Sequence, residues 1–290
     1  MVEAADLLHD EAEPFRWTMG VHALDLDRWL LVDDHRDVDL AEAARTLRTR
    51  PELTHLLPGA RPAALEVATA VEVHLRRARP ELGPELDRLD VARAPNPLAA
   101  VRQVVQEDLC LLERGVDGWV MTACVVAAPT AWDVASKVGR ELDAIHAPVP
   151  RYADDLAPRM SAFFDRLRVD RPVWRANRTM ADGGELLLET PVRVAEIDPT
   201  VTPATVGDRL WLRVEYQTLR RFPETDAVLF TIRVLRQRLS SLAERPDAAV
   251  VLRRLVGGLE AIPPDVARYK HSSVMYLPQI RAWAATVLAP

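Results

Sequence analysis

Apolar residues recur every three to four positions in several stretches of the chain, and this spacing predicts amphipathic helices there. The first pattern runs from residue 40 to about residue 79 and is interrupted by prolines, and residues 80–97 then form a connection. The predicted helices cover residues 63–79, 98–114, 130–146, 153–167, 238–244, 246–260 and 276–288. Pro148 forces the preceding residue away from helical backbone angles, so the helix 130–146 is expected to end at about His146.

Other stretches are continuously apolar or alternate between apolar and polar residues, which predicts β-strands. Residues 119–127 are nearly all apolar, as in a strand that is buried on both faces. Residues 209–222 alternate, and 227–235 follow across a Pro-Glu-Thr-Asp turn, so the pair predicts an antiparallel hairpin. Further short strands are predicted at 29–32, 173–180 and 185–189. These elements together predict an α+β fold, an antiparallel sheet flanked by helices, with an N-terminal helical region.

Polar side chains share one face of the strand 209–222, namely Arg213, Glu215 and Gln217. The ordinary explanation is the solvent face of a half-buried strand. The alternative is the polar lining of a pocket, in which Glu215 holds a cationic amine and an arginine holds a haem propionate. Periodicity alone does not separate these two interpretations. On the strand 173–180, Arg175 and Asn177 also share one face.

The composition restricts the class of protein. Hydrophobic residues make up 49% of the 290 residues and charged residues 28%, which is typical of soluble globular proteins. The net charge of −6 gives no electrostatic reason to expect nucleic acid or an anionic membrane as a partner. Cys110 and Cys124 lack metal-ligand spacing and are expected to be reduced core thiols. With no signal peptide and no apolar run of transmembrane length, a cytoplasmic protein is expected.

His146 is the candidate for metal chemistry that the pattern singles out. On the predicted helix 130–146 its side chain lies on the same stripe as Gly139, which leaves room for a flat group. A neutral imidazole on an apolar stripe, held by a rigid Pro-Val-Pro exit, suits the proximal ligand of a haem iron. A structural histidine favoured by the helix dipole, with its ring bonded to a carbonyl, explains the position as well. On the opposite face, Lys137 is expected to pair with Glu141.

Six stretches, in order along most of the chain, carry a resemblance to a known family. They are MGVHALDLDRWLLVDD (19–34), VVQEDLCLLE (104–113), PTAWDVASKVGRELDAIHAPVP (129–150), VWRAN (173–177), RVEYQTLRRFPETDAVLFTIR (213–233) and RYK (268–270). The strings IHAPVP and QTLRRFP are the most specific of them. Together they resemble the α-subunit of haem-dependent oxidative N-demethylase, also called the dimethylamine monooxygenase haem subunit family.

The resemblance implies a PAS-like fold with a histidine-ligated haem b between helix and sheet. We therefore expect a single haem-binding domain over residues 1–290, in which 1–97 is mainly helical and 98–290 is PAS-like. Members of the family use O2 to remove a methyl group from a small secondary amine and release formaldehyde. Their electrons come from a separate flavin/iron–sulfur reductase, and no flavin or iron–sulfur motif is visible here. The oligomeric state stays open.

The resemblance also raises His146 to the expected iron ligand, with His271 as the runner-up. We expect Glu215 to pair with the substrate ammonium or to deliver protons. Arg175 and Asn177 are expected to hydrogen-bond the bound oxygen or the substrate. The haem propionates are assigned to Arg213, Arg220 and Arg221. The remaining histidines, interpreted as structural or surface residues, are His9, His22, His35, His55 and His74.

Two residues depart from the family pattern. Arg178 stands where the family usually has tryptophan in Arg-x-Asn-Trp, and Tyr216 stands where it tends to have arginine. Arg178 is expected to open or recharge a pocket wall, so the fold transfers better than the substrate does. Two other interpretations therefore stay open, a PAS-type haem sensor or binding protein and a divergent member without haem.

Overall fold

The computed structural model describes residues 2–8, 19–149, 151–188 and 197–289. Its strands are His22–Ala23 (β1), Thr54–Leu56 (β2), Asp108–Arg114 (β3), Trp119–Val125 (β4), Val173–Ala181 (β5), Trp211–Arg221 (β6) and Val228–Arg238 (β7). Its helices are Arg36–Thr49 (α1), Arg61–Ala78 (α2), Gly83–Leu86 (α3), Pro97–Val101 (α4), Leu142–His146 (α5), Ala157–Arg166 (α6), Val206–Arg209 (α7), Leu239–Ala243 (α8), Ala248–Glu260 (α9), Pro264–Tyr269 (α10), His271–Val274 (α11) and Leu277–Val287 (α12). The predictions for His9 and for Glu189, the last residue of the predicted strand 185–189, lie outside the described residues.

The strands of the described residues form one antiparallel sheet in the order β1-β5-β6-β7-β3-β4-β2. In its centre β3 pairs with β4 on one side, where Cys110 lies opposite Cys124. On the other side β3 pairs with β7, where Asp108 lies opposite Ile232. The prediction of an α+β fold with an antiparallel sheet is confirmed, and the hairpin predicted from 209–235 is the pair β6 and β7. The PAS-like assignment stays a prediction.

The chain divides into two compact units. The large unit consists of Met19–Arg175 and Tyr216–Arg233. The small unit consists of Met1–Thr18, Ala176–Glu215 and Val234–Pro290. Strands β5, β6 and β7 contribute residues to both units. The expected organisation as a single domain over 1–290 stays a prediction.

The large unit buries the apolar face of α2. Val67, Ala68 and Val71 are 0% exposed, and Leu75 follows one turn later at 1%. Full burial of one such Val or Leu side chain contributes roughly 1.5–3 kcal/mol before chain entropy is subtracted. The helix predicted at 63–79 is therefore confirmed.

The small unit is built around α9, which packs against α8, α11 and α12. Its buried residues Val251, Leu252, Leu255 and Leu259 follow helical spacing. The helices predicted at 238–244, 246–260 and 276–288 are confirmed by α8, α9 and α12. The short helices α10 and α11 were not predicted.

The predicted helix 98–114 is wrong beyond its first turn. Only α4 is helical, and the rest enters the sheet as β3. Leu109, Leu111 and Leu112 are at most 2% exposed because β3 has neighbours on both edges and is covered on both faces. In a strand that is buried on both faces, nearly every position is apolar. Such a run also contains apolar residues three and four positions apart, which is the spacing of a helix, and the prediction of a helix resulted from this overlap.

The predicted strand at 29–32 is also wrong. Its backbone groups are satisfied elsewhere, since the amide of Trp29 donates to the carbonyl of Leu26 (3.1 Å). The amide of Leu31 donates to the buried carboxylate of Glu107 at 2.8 Å. The described part of the predicted strand 185–189 has no extended run either.

Candidate functional site

The segment that leads to His146 lies in the large unit and is not the long helix that its spacing predicts. The amide of Gly139 donates to the carbonyl of Met121 (2.8 Å), and the amide of Met121 donates to that of Arg140 (3.1 Å). An isolated antiparallel bridge joins Val120 and Glu141. Pairing with the edge of β4 satisfies these backbone groups, so helix forms only in α5. The predicted end at His146 is confirmed.

The roles predicted for Gly139 and Lys137 are wrong because both assumed that the helix extends from residue 130 to residue 146. Gly139 has a φ of +74°, a left-handed conformation that favours glycine, and its missing Cβ would lie 3.6 Å from a methyl group of Leu57. The glycine therefore serves the turn rather than making room for a flat group. Lys137 donates from Nζ to the carbonyl of Ile145 at 2.9 Å, near the C-terminus of α5, and does not pair with Glu141.

The half-buried ring of His146 is fixed by a backbone hydrogen bond. Its Nδ1 lies 2.8 Å from the carbonyl oxygen of Leu142. A carbonyl oxygen only accepts, so Nδ1 carries the hydrogen and Nε2 keeps its lone pair. The ring stacks on Tyr152, with centroids 5.1 Å apart and planes 16° apart. The Tyr152 hydroxyl donates to Asp143 at 2.7 Å, which holds the stacking partner in place.

The surroundings of His146 keep its imidazole neutral. Burial lowers its pKa, and the positive charges of Arg175 and Lys137 lower it further, against the opposing effects of the Leu142 carbonyl and Asp143. A neutral imidazole is the form that binds a metal, and a hydrogen bond on the other ring nitrogen raises its basicity and sets its orientation. His146 therefore fits the single protein ligand that a haem iron requires.

A metal held by protein side chains alone is a different case. Among the residues that the structure describes, no group of three or more His, Cys, Asp or Glu could hold a metal ion. A haem brings its four porphyrin nitrogens, so one histidine is enough for it.

A second polar cluster lies in the small unit. The Asn177 amide donates to Glu215 at 3.3 Å, and Lys270 Nζ donates to the Asn177 side-chain oxygen at 3.1 Å. Lys270 Nζ also lies 3.5 Å from the carbonyl oxygen of Arg178. Strands β5 and β6 supply the amide and the carboxylate, and α10 ends beside the ammonium group. Two predicted site residues, Asn177 and Glu215, are thus brought together.

The solvent-face interpretation of the polar stripe on β6 is wrong. Arg213 is 1% exposed, and Glu215 and Gln217 are each 8% exposed. The guanidinium of Arg213 donates to the carbonyls of Glu185 and Leu186 at 3.1 and 2.8 Å. A buried polar stripe fits the lining of an interior site better than a wet face.

The other two arginines assigned to haem propionates have protein partners. The guanidinium of Arg220 lies 4.3 Å from the centroid of the Trp29 ring, a cation–π contact. Arg221 pairs with Asp226 and donates to the carbonyl of Leu167 at 3.0 Å, which ties down the β6–β7 turn. The propionate role of Arg213, Arg220 and Arg221 stays a prediction, and each would have to exchange a present contact.

The remaining predicted residues have ordinary structural surroundings. His22 packs on Trp174, His55 bonds the carbonyl of Glu52, and His74 packs edge-on against Trp29. The runner-up ligand His271 begins α11 in the small unit. The Tyr216 hydroxyl donates to the carbonyl of Arg28 at 3.1 Å, so this departure from the family pattern serves packing.

Three groups that hold the surroundings of His146 and the Asn177–Glu215 cluster in place were not predicted from the sequence. The Leu142 carbonyl gives no side-chain signal, and the stacking of Tyr152 depends on a turn after Pro150. Lys270 carried a usable signal, because it is one of two lysines in a chain with 37 lysines and arginines.

Comparison with known families agrees with these features. A family model described as "Haem-dependent oxidative N-demethylase, alpha subunit-like" matches residues 20–277 of 290. That name implies haem dependence, oxidative N-demethylation and a separate partner in a multi-component system. None of the helices in the described part of the chain is long and apolar enough to cross a membrane. With nearly its whole length matched, the chain belongs to the haem-dependent oxidative N-demethylase alpha subunit-like family.

Proposed function

We propose that this chain is a haem b-dependent monooxygenase subunit that uses O2 to demethylate a small amine, with His146 as the iron ligand. The observation that carries the proposal is the hydrogen bond from His146 Nδ1 to the Leu142 carbonyl at 2.8 Å. It directs the lone pair of Nε2 away from the backbone of α5, in a neutral ring. The family name supports haem as the group that this nitrogen binds.

The residues of the large unit would hold and tune the haem. When bound, the haem supplies the activation of O2, which protein side chains alone do not provide. His146 Nε2 would bind the iron, and the stacked Tyr152 would limit rotation of the imidazole. Burial lowers the pKa of His146 most, and the charge of Arg175 lowers it further. In our proposal Arg175 would also donate a hydrogen bond to O2 or the substrate. A flavin/iron–sulfur reductase would supply the electrons.

In the small unit, we assign recognition of the amine to Glu215 and Asn177. The buried Glu215 carboxylate would pair with the substrate ammonium and accept the proton that the amine loses before oxidation. Asn177 would be held in one orientation, because its oxygen accepts from Lys270 and its amide donates to Glu215. A small protonated amine would add a charge-assisted hydrogen bond to this carboxylate.

Turnover tests this proposal directly. The haem-loaded protein, supplied with a flavin/iron–sulfur reductase and NAD(P)H, is expected to release formaldehyde from dimethylamine or a related secondary amine while consuming O2. Glu215→Gln should lower kcat/KM by roughly 10²-fold with an unchanged haem spectrum. Glu260→Gln, at the exposed end of α9, is the matched control and should leave turnover unchanged.

Two results would overturn the proposal. A reduced haem that binds O2 and CO but yields no formaldehyde from any small methylamine would point to a sensor. Equal turnover by Glu215→Gln and the control would remove Glu215 from the reaction.

A further inference from the structure

The small unit contains a cavity of about 70 Å³ to which the proposed reaction assigns no ligand, although Lys270 of the amine cluster contributes to its wall. Most of its wall is apolar and includes Leu212, Leu255 and Leu259. A cavity needs roughly 10–15 Å³ to hold one water-sized group, so this one accommodates a ligand of about five to seven non-hydrogen atoms. Its volume therefore limits the ligand to a small molecule.

Arg178 brings a positive charge to this wall. Its side chain is largely buried, and burial lowers the pKa of its guanidinium. Within the described ranges, which leave out residues 9–18 and 189–196, no side chain or carbonyl accepts a hydrogen bond from that guanidinium. Its Nη1 lies against α9, where a Cβ on Gly258 would be 3.6 Å away. A desolvated guanidinium facing a cavity without an acidic partner favours an anionic ligand.

The other polar groups of the wall strengthen this preference. Lys270 supplies a second positive charge, and its Nζ is positioned by the Asn177 side chain at 3.1 Å. The hydroxyls of Thr179 and Ser273 lie 3.2 Å apart and add neutral donors and acceptors. The described lining includes neither Asp nor Glu. Arg178, Lys270 and the two hydroxyls thus form the polar part of the wall, and the other lining residues are apolar.

We propose that this cavity binds a short-chain aliphatic monocarboxylate, with the carboxylate on Arg178 and the alkyl chain against the leucines of β6 and α9. The planar guanidinium fork matches a carboxylate with two parallel hydrogen bonds. Inorganic phosphate fits less well, because it has no apolar part to cover the leucine side chains of the wall. An amino acid fits less well because its ammonium group would find two cations and no acid in the described lining.

A matched pair of ligands tests the class of molecule. Butyrate and N-methylglycine have the same number of non-hydrogen atoms and differ by a methylene in place of a charged NH2 group. Isothermal titration of the full chain should give millimolar or tighter binding of butyrate. N-methylglycine and inorganic phosphate should bind about tenfold more weakly or not at all. Equal binding of either one, or no heat with butyrate, would overturn the assignment.

Variants locate the site. Arg178→Met should weaken butyrate binding by about tenfold or more, since it removes hydrogen bonds to a charged group. Arg253→Met is the control, because it removes the same positive charge from an exposed position of α9. This variant should bind butyrate like the parent chain. Butyrate binding that survives Arg178→Met would place the ligand elsewhere.

A second variant keeps the test valid if Arg178→Met does not fold. Gly258→Ala adds a methyl group at an ordinary contact distance of 3.6 Å from Arg178 Nη1, so it narrows the cavity without strain or change of charge. It should weaken butyrate more than acetate and leave the melting temperature equal or higher. An unchanged ratio of butyrate to acetate affinity would count against this cavity. These titrations need neither haem nor reductase, so their outcome is separate from that of the demethylase proposal.

Discussion

Replacing Arg233 by methionine removes the positive charge from a buried ion-pair network of the large unit. Arg233 is 1% exposed and pairs with Asp33 and, at 3.1 Å, with Asp39. The Gln106 amide donates to both carboxylates, at 3.1 and 3.0 Å. The network therefore places one guanidinium between two buried carboxylates, and the neutral amides that donate to them do not cancel their charge.

The expected cost follows from this geometry. Removing one partner of a buried ion pair leaves uncompensated charge in a poorly solvated site, which typically costs about 3–5 kcal/mol. The same substitution at Arg168 is the matched control. Arg168 pairs with Asp170 at the surface, with side chains 60% and 61% exposed, so Arg168→Met should cost less than about 1 kcal/mol.

The loss of unfolding free energy in Arg233→Met, here called the deficit, should also depend on pH. Burial alone would raise the pKa of Asp33, but Arg233, Gln106 and the amide of His35 hold it below its ordinary value. A lowered carboxyl pKa adds stability above the unfolded pKa, and this stability is lost as the pH falls. Without Arg233, burial is the largest influence on Asp33, so the pKa of this carboxyl in the folded state rises above its unfolded value. The ionised Asp33 then lowers the free energy of unfolding instead of raising it. The deficit of Arg233→Met should therefore shrink from about pH 7 to about pH 4.5.

Urea unfolding followed by tryptophan fluorescence measures both effects. The parent chain, Arg233→Met and Arg168→Met are compared at the two pH values. A deficit for Arg233→Met no larger than that of the control would refute the reasoning. So would a deficit that grows as the solution is acidified.

Two further changes test local features of the large unit. Burial and the charges of Arg77 and Arg220 lower the pKa of His74 to about 4. The neutral ring is fully stabilising above its unfolded pKa, so acidification from about pH 6.5 to pH 4 should remove about 3 kcal/mol from the free energy of unfolding through His74. The His74→Phe variant should therefore lose about that much less than the parent chain over this range. Gly139→Ala places a side chain at a φ of +74° and should cost about 1–2 kcal/mol in urea unfolding, whereas Gly83→Ala, in open space, should cost little. The same loss of stability on acidification in His74→Phe as in the parent chain, or equal costs for the two alanine variants, would contradict these assignments.

Local patterns predicted the elements whose surroundings are simple. The β6–β7 hairpin follows from alternation and a turn sequence, and α9 and α12 follow from one apolar face each. These elements need little knowledge of distant residues. The α+β class and the strand β4 were predictable for the same reason.

The errors occur where distant partners decide the local structure. Residues 108–114 form a strand because β4 and β7 pair with them, although their apolar spacing also matches a helix. Residues 139–141 follow the edge of β4, and this pairing replaced most of the predicted helix before His146. The sequence predicts both strands but contains no local sign of the residues with which they pair.

The candidate site was predictable only in part. The proline exit identified His146 and the end of its helix, and Asn177 and Glu215 were placed on the correct strands. The hydrogen bond from Lys270 to Asn177 spans 93 positions, and no periodicity reveals it. The cavity beside Arg178 likewise forms from residues far apart in the chain.

Haem titration of a His146→Gly variant, with and without added imidazole, tests the iron ligand most directly. We predict that the parent chain binds one haem with a Soret band typical of histidine ligation, and that His146→Gly loses this band. Added imidazole should restore it by occupying the vacated position, and His271→Gly should keep the parent spectrum without imidazole. An unchanged Soret band in His146→Gly, or its loss in His271→Gly instead, would show that His146 is not the ligand.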